Sequence, residues 1–151
     1  MTRPVRLQLS RRKGFDLQAR SREVNGLEAV NCARPGRYGS PFRVGQTTVT
    51  GYFAESRGRL TAEEAVARYE AAWRATLRSA EMPPRHPPMP FGRPLYLGPL
   101  SGHNLACWCR LCARHAATGK PLDEPCPDCA PCHADVLLEL ANRPICEAAA
   151  K

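Results

Sequence analysis

Residues 105–142 read LACWCRLCARHAATGKPLDEPCPDCAPCHADVLLELAN, an apolar run joined to an apolar-periodic segment through a stretch dense in cysteine and histidine. Leu105 to Cys109 reads as a buried strand and Ala134 to Asn142 as a helix stopped before Pro144. A strand, a long excursion and a closing helix imply an α/β layer arrangement.

The excursion carries the metal signal. Six of the eight cysteines and two of the four histidines fall between Cys107 and His133. Two-residue spacings let both side chains of a tight turn point at one ion, as tetrahedral Zn²⁺ requires. Cys112 and His115, followed by Cys126 and Cys129, supply four ligands from two such turns. One bound zinc is expected.

Working outward, residues 4 to 9 (PVRLQL) and 27 to 32 (LEAVNC) read as strands, and the polar RRKGFDLQARSREVNG between them as loop. The segment ARPGRYGSPFRVG at 33–45 has three glycines and two prolines and is irregular. Residues 47 to 53 read as another short strand. Thr61-Ala62-Glu63-Glu64 is a capping box that opens a helix to about Ser79, with Val66, Tyr69, Trp73 and Leu77 as its apolar stripe. Seven prolines between 80 and 99 make that stretch an extended connector. The fold expected is α/β, a small single-layer sheet flanked by helices, Rossmann-like in plan, with an inserted zinc knuckle. One domain is expected over 1–142, with the knuckle at 110–131 and a tail at 143–151.

With 151 residues and 43% hydrophobic content the chain suits a soluble globular protein. No segment reads as a signal peptide or a membrane span, so a cytoplasmic location and no membrane partner are expected. In a reducing compartment, clustered cysteines imply metal or chemistry in preference to disulfides. The net charge of +8 is one-sided. Residues 1–59 hold 12 Lys/Arg against 4 Asp/Glu, and the remainder is balanced. Such a basic segment is the footprint of a phosphate-backbone binder, so DNA or another nucleic acid is the expected partner. Arg34 and Arg37 lie in a glycine-rich loop with the ingredients of an anion cradle. There Asn31, Tyr38 and Phe42 could hydrogen-bond and stack on a base.

Four motifs occur in order: RRKGF (Arg11 to Phe15), ARPGRYGSPF (Ala33 to Phe42), LACWC (Leu105 to Cys109) and CHADVLLELAN (Cys132 to Asn142). Together they resemble domain-of-unknown-function family 4326, a group of short phage and bacterial proteins. The resemblance spans about residues 8–142. Tyr38 stands where the family pattern has Trp, and Ser40 where it has Asn, so Ser40 can replace only part of an amide contact.

The resemblance divides the cysteines. Cys112, His115, Cys126 and Cys129 belong to an insertion that shorter members lack. Cys107, Cys109, Cys132 and His133 belong to the older frame, either as a second zinc site or as metal-free walls of a cleft. Through the family's phage association the resemblance also implies a DNA glycosylase that removes a modified base from phage DNA. In that reading Asp135 and Asn31 are the catalytic candidates. Arg12, Lys13, Arg34, Arg37, Tyr38, Ser40, Phe42 and Trp108 are the substrate-binding candidates.

Two other classes stay open. A non-catalytic zinc-stabilised DNA- or RNA-binding module needs only the basic half and the knuckle. A zinc nucleobase deaminase, or another nucleotide-processing enzyme, is weaker. Pro125-Cys126-Pro127-Asp128-Cys129 matches half the deaminase signature, but no H-x-E or C-x-E precedes it.

Overall fold

In a computed structural model, residues 2–45, 59–81 and 97–142 are described. The expected strand at 47–53, most of the proline connector and the tail lie outside them. The chain forms two compact units, Met1–Gly39 with Tyr96–Lys151, and Ser40–Leu95.

The first unit is a mixed four-stranded sheet flanked by helices. Its elements are β1 (Val5–Gln8), α1 (Leu17–Asn25), β2 (Ala29–Asn31), β3 (Asn104–Cys107), α3 (Ala113–Thr118), β4 (Lys120–Pro121) and α4 (His133–Asn142). The strand order is β2-β3-β1-β4. β3 runs parallel to both β1 and β2, whereas β4 closes the other edge antiparallel to β1. The four-residue stretch Asn104–Cys107 is buried throughout because both of its edges and both of its faces are covered, which is why the sequence from Leu105 onward reads as apolar without alternation.

Register fixes the faces. Arg6 lies opposite Leu105 and Gln8 opposite Cys107, so these side chains share one side of the sheet. That side faces α4, since Arg6 pairs with Asp135 and Cys107 lies against His133. Asn104, one residue away from Leu105, points to the opposite face and meets α1 through Ser21 and Asn25. In α4, Ala134, Leu137 and Leu138 are fully buried. Each buried leucine contributes about 2 kcal/mol by removal of apolar surface from water.

α1 replaces part of the loop expected at 11–26. Its ends follow ordinary capping chemistry: Asp16 accepts from the Ala19 amide, and Gly26 takes a left-handed φ of 79°. Its inner face is polar. Gln18 exchanges two hydrogen bonds with the backbone of Ala29 at 2.8 and 2.9 Å, and Ser21 donates to the Leu27 carbonyl at 2.6 Å. A helix docked by hydrogen bonds leaves no apolar periodicity to read.

The insertion at 110–131 builds α3 and then β4, so it extends the sheet as well as carrying cysteines. Between those elements Gly119 has φ 75°, and a Cβ there would lie 2.9 Å from the Val5 Cβ.

The second unit contains α2 (Ala62–Glu81). The capping box forms as expected: Glu64 N donates to Thr61 Oγ1 at 3.2 Å and Thr61 N to Glu64 Oε2 at 3.1 Å. The buried stripe is Ala65, Tyr69 and Trp73, while Leu77 is 38% exposed. An i, i+4, i+8 row continues at Leu77 in sequence but not in burial.

At the centre of the first unit Arg6 has no exposed surface. It pairs with Asp135 and donates to the carbonyls of Arg110 and Ala130 at 3.3 and 3.0 Å. Removing one partner of a buried pair strands the other groups. Arg6→Met is therefore expected to lower the unfolding free energy by about 1–3 kcal/mol in urea denaturation, since Asp135 keeps Lys120 while the two carbonyls lose their donor; an unchanged unfolding free energy would contradict this role for Arg6.

Candidate functional site

Parallel strands of α/β sheets present their ligand sites at their carboxyl ends. Here those ends are the RRKGF turn after β1, the glycine loop after β2 and the Cys-Trp-Cys bend after β3.

After β1, Phe15 N donates to the Arg12 carbonyl at 3.1 Å, closing a turn whose third residue, Gly14, has φ 82°. Arg11, Arg12 and Lys13 are exposed on it. The Arg11 guanidinium lies 5.1 Å from the ring centroid of Trp108, which is 46% exposed. A cation over an indole face is an attractive pairing, and it joins the ends of β1 and β3.

After β2 the loop folds on itself. Ala33 N donates to Asn31 Oδ1 at 2.9 Å, Gly36 N to the Ala33 carbonyl at 2.9 Å and Gly39 N to the Gly36 carbonyl at 3.0 Å. A Cβ on Gly39 would lie 2.9 Å from the Arg34 Cα, so the close approach demands glycine. Arg34 and Arg37 are exposed, whereas Tyr38 is buried, and burial raises its phenol pKa. The exposed stacking surface is thus Trp108, while the Tyr38 ring is withdrawn from solvent. In the second unit the Ser40 hydroxyl is engaged by its own loop, accepting from Phe42 N at 3.1 Å and donating to the Phe42 carbonyl at 3.3 Å.

Asp135 and Asn31 do not converge. Asn31 lies opposite Ala106 in register, which puts it on the α1 face of the sheet, whereas Asp135 pairs with Arg6 on the α4 face. Both Asp135 oxygens are held by cations, one by Arg6 and the other by Lys120 Nζ at 3.2 Å. Both of its oxygens are thereby engaged, and Asp135 ties α4 to β1 and β4. Neither Arg6 nor Lys120 was singled out from the sequence, where nothing marks Arg6 among other arginines as buried.

Among the described residues two groups of side chains could hold a metal ion: Cys112, His115, Cys126 and Cys129, and Cys107, Cys109 and Cys132. In the first, His115 Nδ1 lies 3.3 Å from both Cys112 Sγ and Cys129 Sγ, and the Cys112 and Cys126 sulfurs are 3.9 Å apart. Bonds of about 2.3 Å to sulfur and about 2.0 Å to nitrogen give tetrahedral edges of roughly 3.8 Å between sulfurs and 3.6 Å from sulfur to nitrogen. The donor set fits. The Cys112 amide donates to Cys129 Sγ at 3.3 Å, and the His115 amide to Cys112 Sγ at 3.5 Å. That second bond is the leading cause that lowers the Cys112 thiol pKa. On the outer side of the ring, Glu124 Oε1 lies 3.7 Å from His115 Nε2.

In the second group Cys107 is held well below the usual thiol range by hydrogen bonds from Cys109 and Cys132. Its bond with Cys107 pushes Cys109 up to about 11. Burial, with the charge at Cys107 added, pushes the neighbouring Cys32 up to about 12. Cys32 is therefore a neutral buried thiol.

A mixed four-stranded sheet flanked by helices, carrying two cysteine-rich groups able to hold a metal, defines a small α/β protein with candidate metal sites. The chain belongs to the family described as a domain of unknown function, DUF4326, whose model matches residues 16–143. No curated protein and no solved structure matches it. Among the described residues no helix is long and apolar enough to cross a membrane.

Burial, then the positive charges of Arg114, Lys120 and Arg6, lowers the His115 pKa from 6.5. Below about pH 6.5 the unfolded chain takes up a proton that the native imidazole refuses, so stability falls as the pH is lowered. Thermal melting is expected to begin at a lower temperature at pH 5.5 than at pH 7.5; an unchanged or higher midpoint would contradict the neutral, buried His115.

Proposed function

We propose that this protein binds nucleic acid at the carboxyl edge of its three parallel strands and cleaves a base–sugar N-glycosidic bond there. In this reading Cys112, His115, Cys126 and Cys129 hold a structural zinc. The observation that carries the binding half is the Arg11–Trp108 pair, a cation laid over an exposed indole at the joint end of β1 and β3. Indole faces stack bases with little sequence preference, and guanidinium groups neutralise the adjoining phosphates. Arg12, Lys13, Arg34 and Arg37 extend that positive charge along the same edge.

The zinc assignment follows from the ligands. Three soft thiolates and one imidazole, at separations close to tetrahedral edges, suit Zn²⁺ among the common cellular metals. When bound, this ion supplies crosslinking of the insertion and takes no part in the reaction, since all four positions belong to the protein.

The proposed chemistry is electrophilic. With Asp135 occupied by Arg6 and Lys120, the exposed amide of Asn31 is the neutral group left to position water against an oxocarbenium-like sugar. Arg34 or Arg37 would stabilise charge on the departing base. The family resemblance favours a modified base as that leaving group, with phage DNA as its source. The same occupation of Asp135 favours a second reading, binding without catalysis.

Incubation with plain and base-modified DNA, followed by alkali, separates the two. Strand breaks at abasic positions are expected; tight binding without breaks would leave the non-catalytic module as the function. Stacking on an aromatic ring contributes about 1–3 kcal/mol per base. Trp108→Ala is accordingly expected to weaken single-stranded oligonucleotide binding by roughly tenfold, measured by fluorescence anisotropy. Unchanged affinity would remove Trp108 from the interface.

A further inference from the structure

We infer that Cys107, Cys109, Cys132 and His133 form a second zinc centre, separate from the knuckle, and that this ion organises the carboxyl edge of the sheet. The three thiols are mutually within 4.8 Å, and the Cys107 and Cys109 sulfurs are 3.8 Å apart. His133 Nδ1 lies 4.0 Å from Cys107 Sγ and 3.9 Å from Cys132 Sγ, close to the roughly 3.6 Å edge of a sulfur–nitrogen tetrahedron. The imidazole is already turned for the task. Its Nε2 lies 2.6 Å from the Cys32 carbonyl oxygen, to which it can only donate, and this leaves the lone pair on Nδ1 facing the sulfurs. A metal-binding histidine ordinarily has its second nitrogen engaged in this way. The Ala134 amide donates to Cys132 Sγ at 3.4 Å, a bond that suits a thiolate.

Binding forms three Zn–S bonds and one Zn–N bond, with whatever protons the three sulfurs still carry released to solvent and no change in oxidation state. With four protein ligands the site is closed, which makes it structural. The ligands come from two separate elements. Cys107 ends β3 and Cys109 follows in the bend, with Trp108 between them, while Cys132 and His133 open α4. The His133 bond continues to Cys32, whose own amide donates to Ala106 at 2.8 Å at the start of the glycine loop. One ion thereby fixes the Trp108 bend, the first turn of α4 and the root of the Arg34 loop. The knuckle ion would fix only the insertion.

Native mass spectrometry of the zinc-supplemented full chain is expected to show two ions. Cys126→Ser and His133→Ala should each retain one, and His133→Cys should restore two. Retention of two ions by His133→Ala, or a folded Cys126→Ser protein with none, would overturn the second centre. Cobalt substitution covers the case in which a variant fails to fold. The wild-type thiolate-to-cobalt band should have the intensity of six thiolates, and an intensity of three would overturn the proposal. Hydrogen exchange reads the organising role. His133→Ala should speed exchange across residues 32–38 and 105–109 by at least tenfold and leave 112–118 as in the wild type. Equal exchange at 32–38 in both proteins would refute it.

Discussion

A guanidinium with no solvent contact holds the first unit together. Arg6 projects from β1 toward α4, pairs with Asp135 there, and caps the carbonyls of Arg110 and Ala130 at the two ends of the insertion. A buried cation is tolerable only when its charge and donors are answered, and here the carboxylate answers the one and the two carbonyls most of the other. The insertion thus leaves and re-enters the domain at a single side chain. Lys120, brought in by β4, adds a second cation to the same carboxylate, so the antiparallel edge strand is also tied to α4. Engagement of both Asp135 oxygens and the seating of the insertion are one fact seen from two sides.

That interaction also explains which parts of the molecule were legible in the sequence. β1, β2, β3, α2 and α4 announce themselves because apolar side chains recur at the period of the element, or because Thr61 and Glu64 form a reciprocal cap. α1 does not, because it docks through Gln18, Ser21 and Asn25. Only Asp16 and Gly26 at its ends carried a readable signal. Cysteine and histidine spacing marked the knuckle group, and the family resemblance set the other group apart. The partners of Asp135 were not legible because a helix-first-turn carboxylate looks the same in sequence whether it faces solvent, substrate or a buried arginine. Only the register of β1 against β3 and the reach of Arg6 decide among these. Tyr38 and Trp108 illustrate the same limit. Both are aromatic residues in irregular segments, and only packing shows that one is buried and the other exposed.

The carboxyl edge and the cysteine groups are neighbours by construction. Cys107 is the last residue of the central strand and Trp108 the first beyond it, so metal-competent thiols and the exposed indole emerge from one backbone turn. The second group of thiols and the knuckle differ in what surrounds them. The knuckle has Glu124 behind its histidine and exposed chain on either side, whereas Cys107, Cys132 and His133 are buried between β3 and α4. Exchange of metal with solvent should differ accordingly, since a ligand must leave before water can enter.

The strand order has a further meaning for how the chain comes into being. β3 occupies the middle of the sheet between β1 and β2, yet about seventy residues of sequence separate it from β2, and a whole compact unit lies in that interval. During synthesis β1 and β2 therefore emerge with no strand between them, since they never pair with each other. Their facing edges stay open until Asn104–Cys107 leaves the ribosome. The sheet closes from its centre, by insertion of a late wedge between two waiting strands. Non-local closure of this kind is slow, because the loop entropy is spent before the contacts form. The wedge ends in cysteine, so the strand that joins β1 to β2 also brings in a thiol of the second cysteine group.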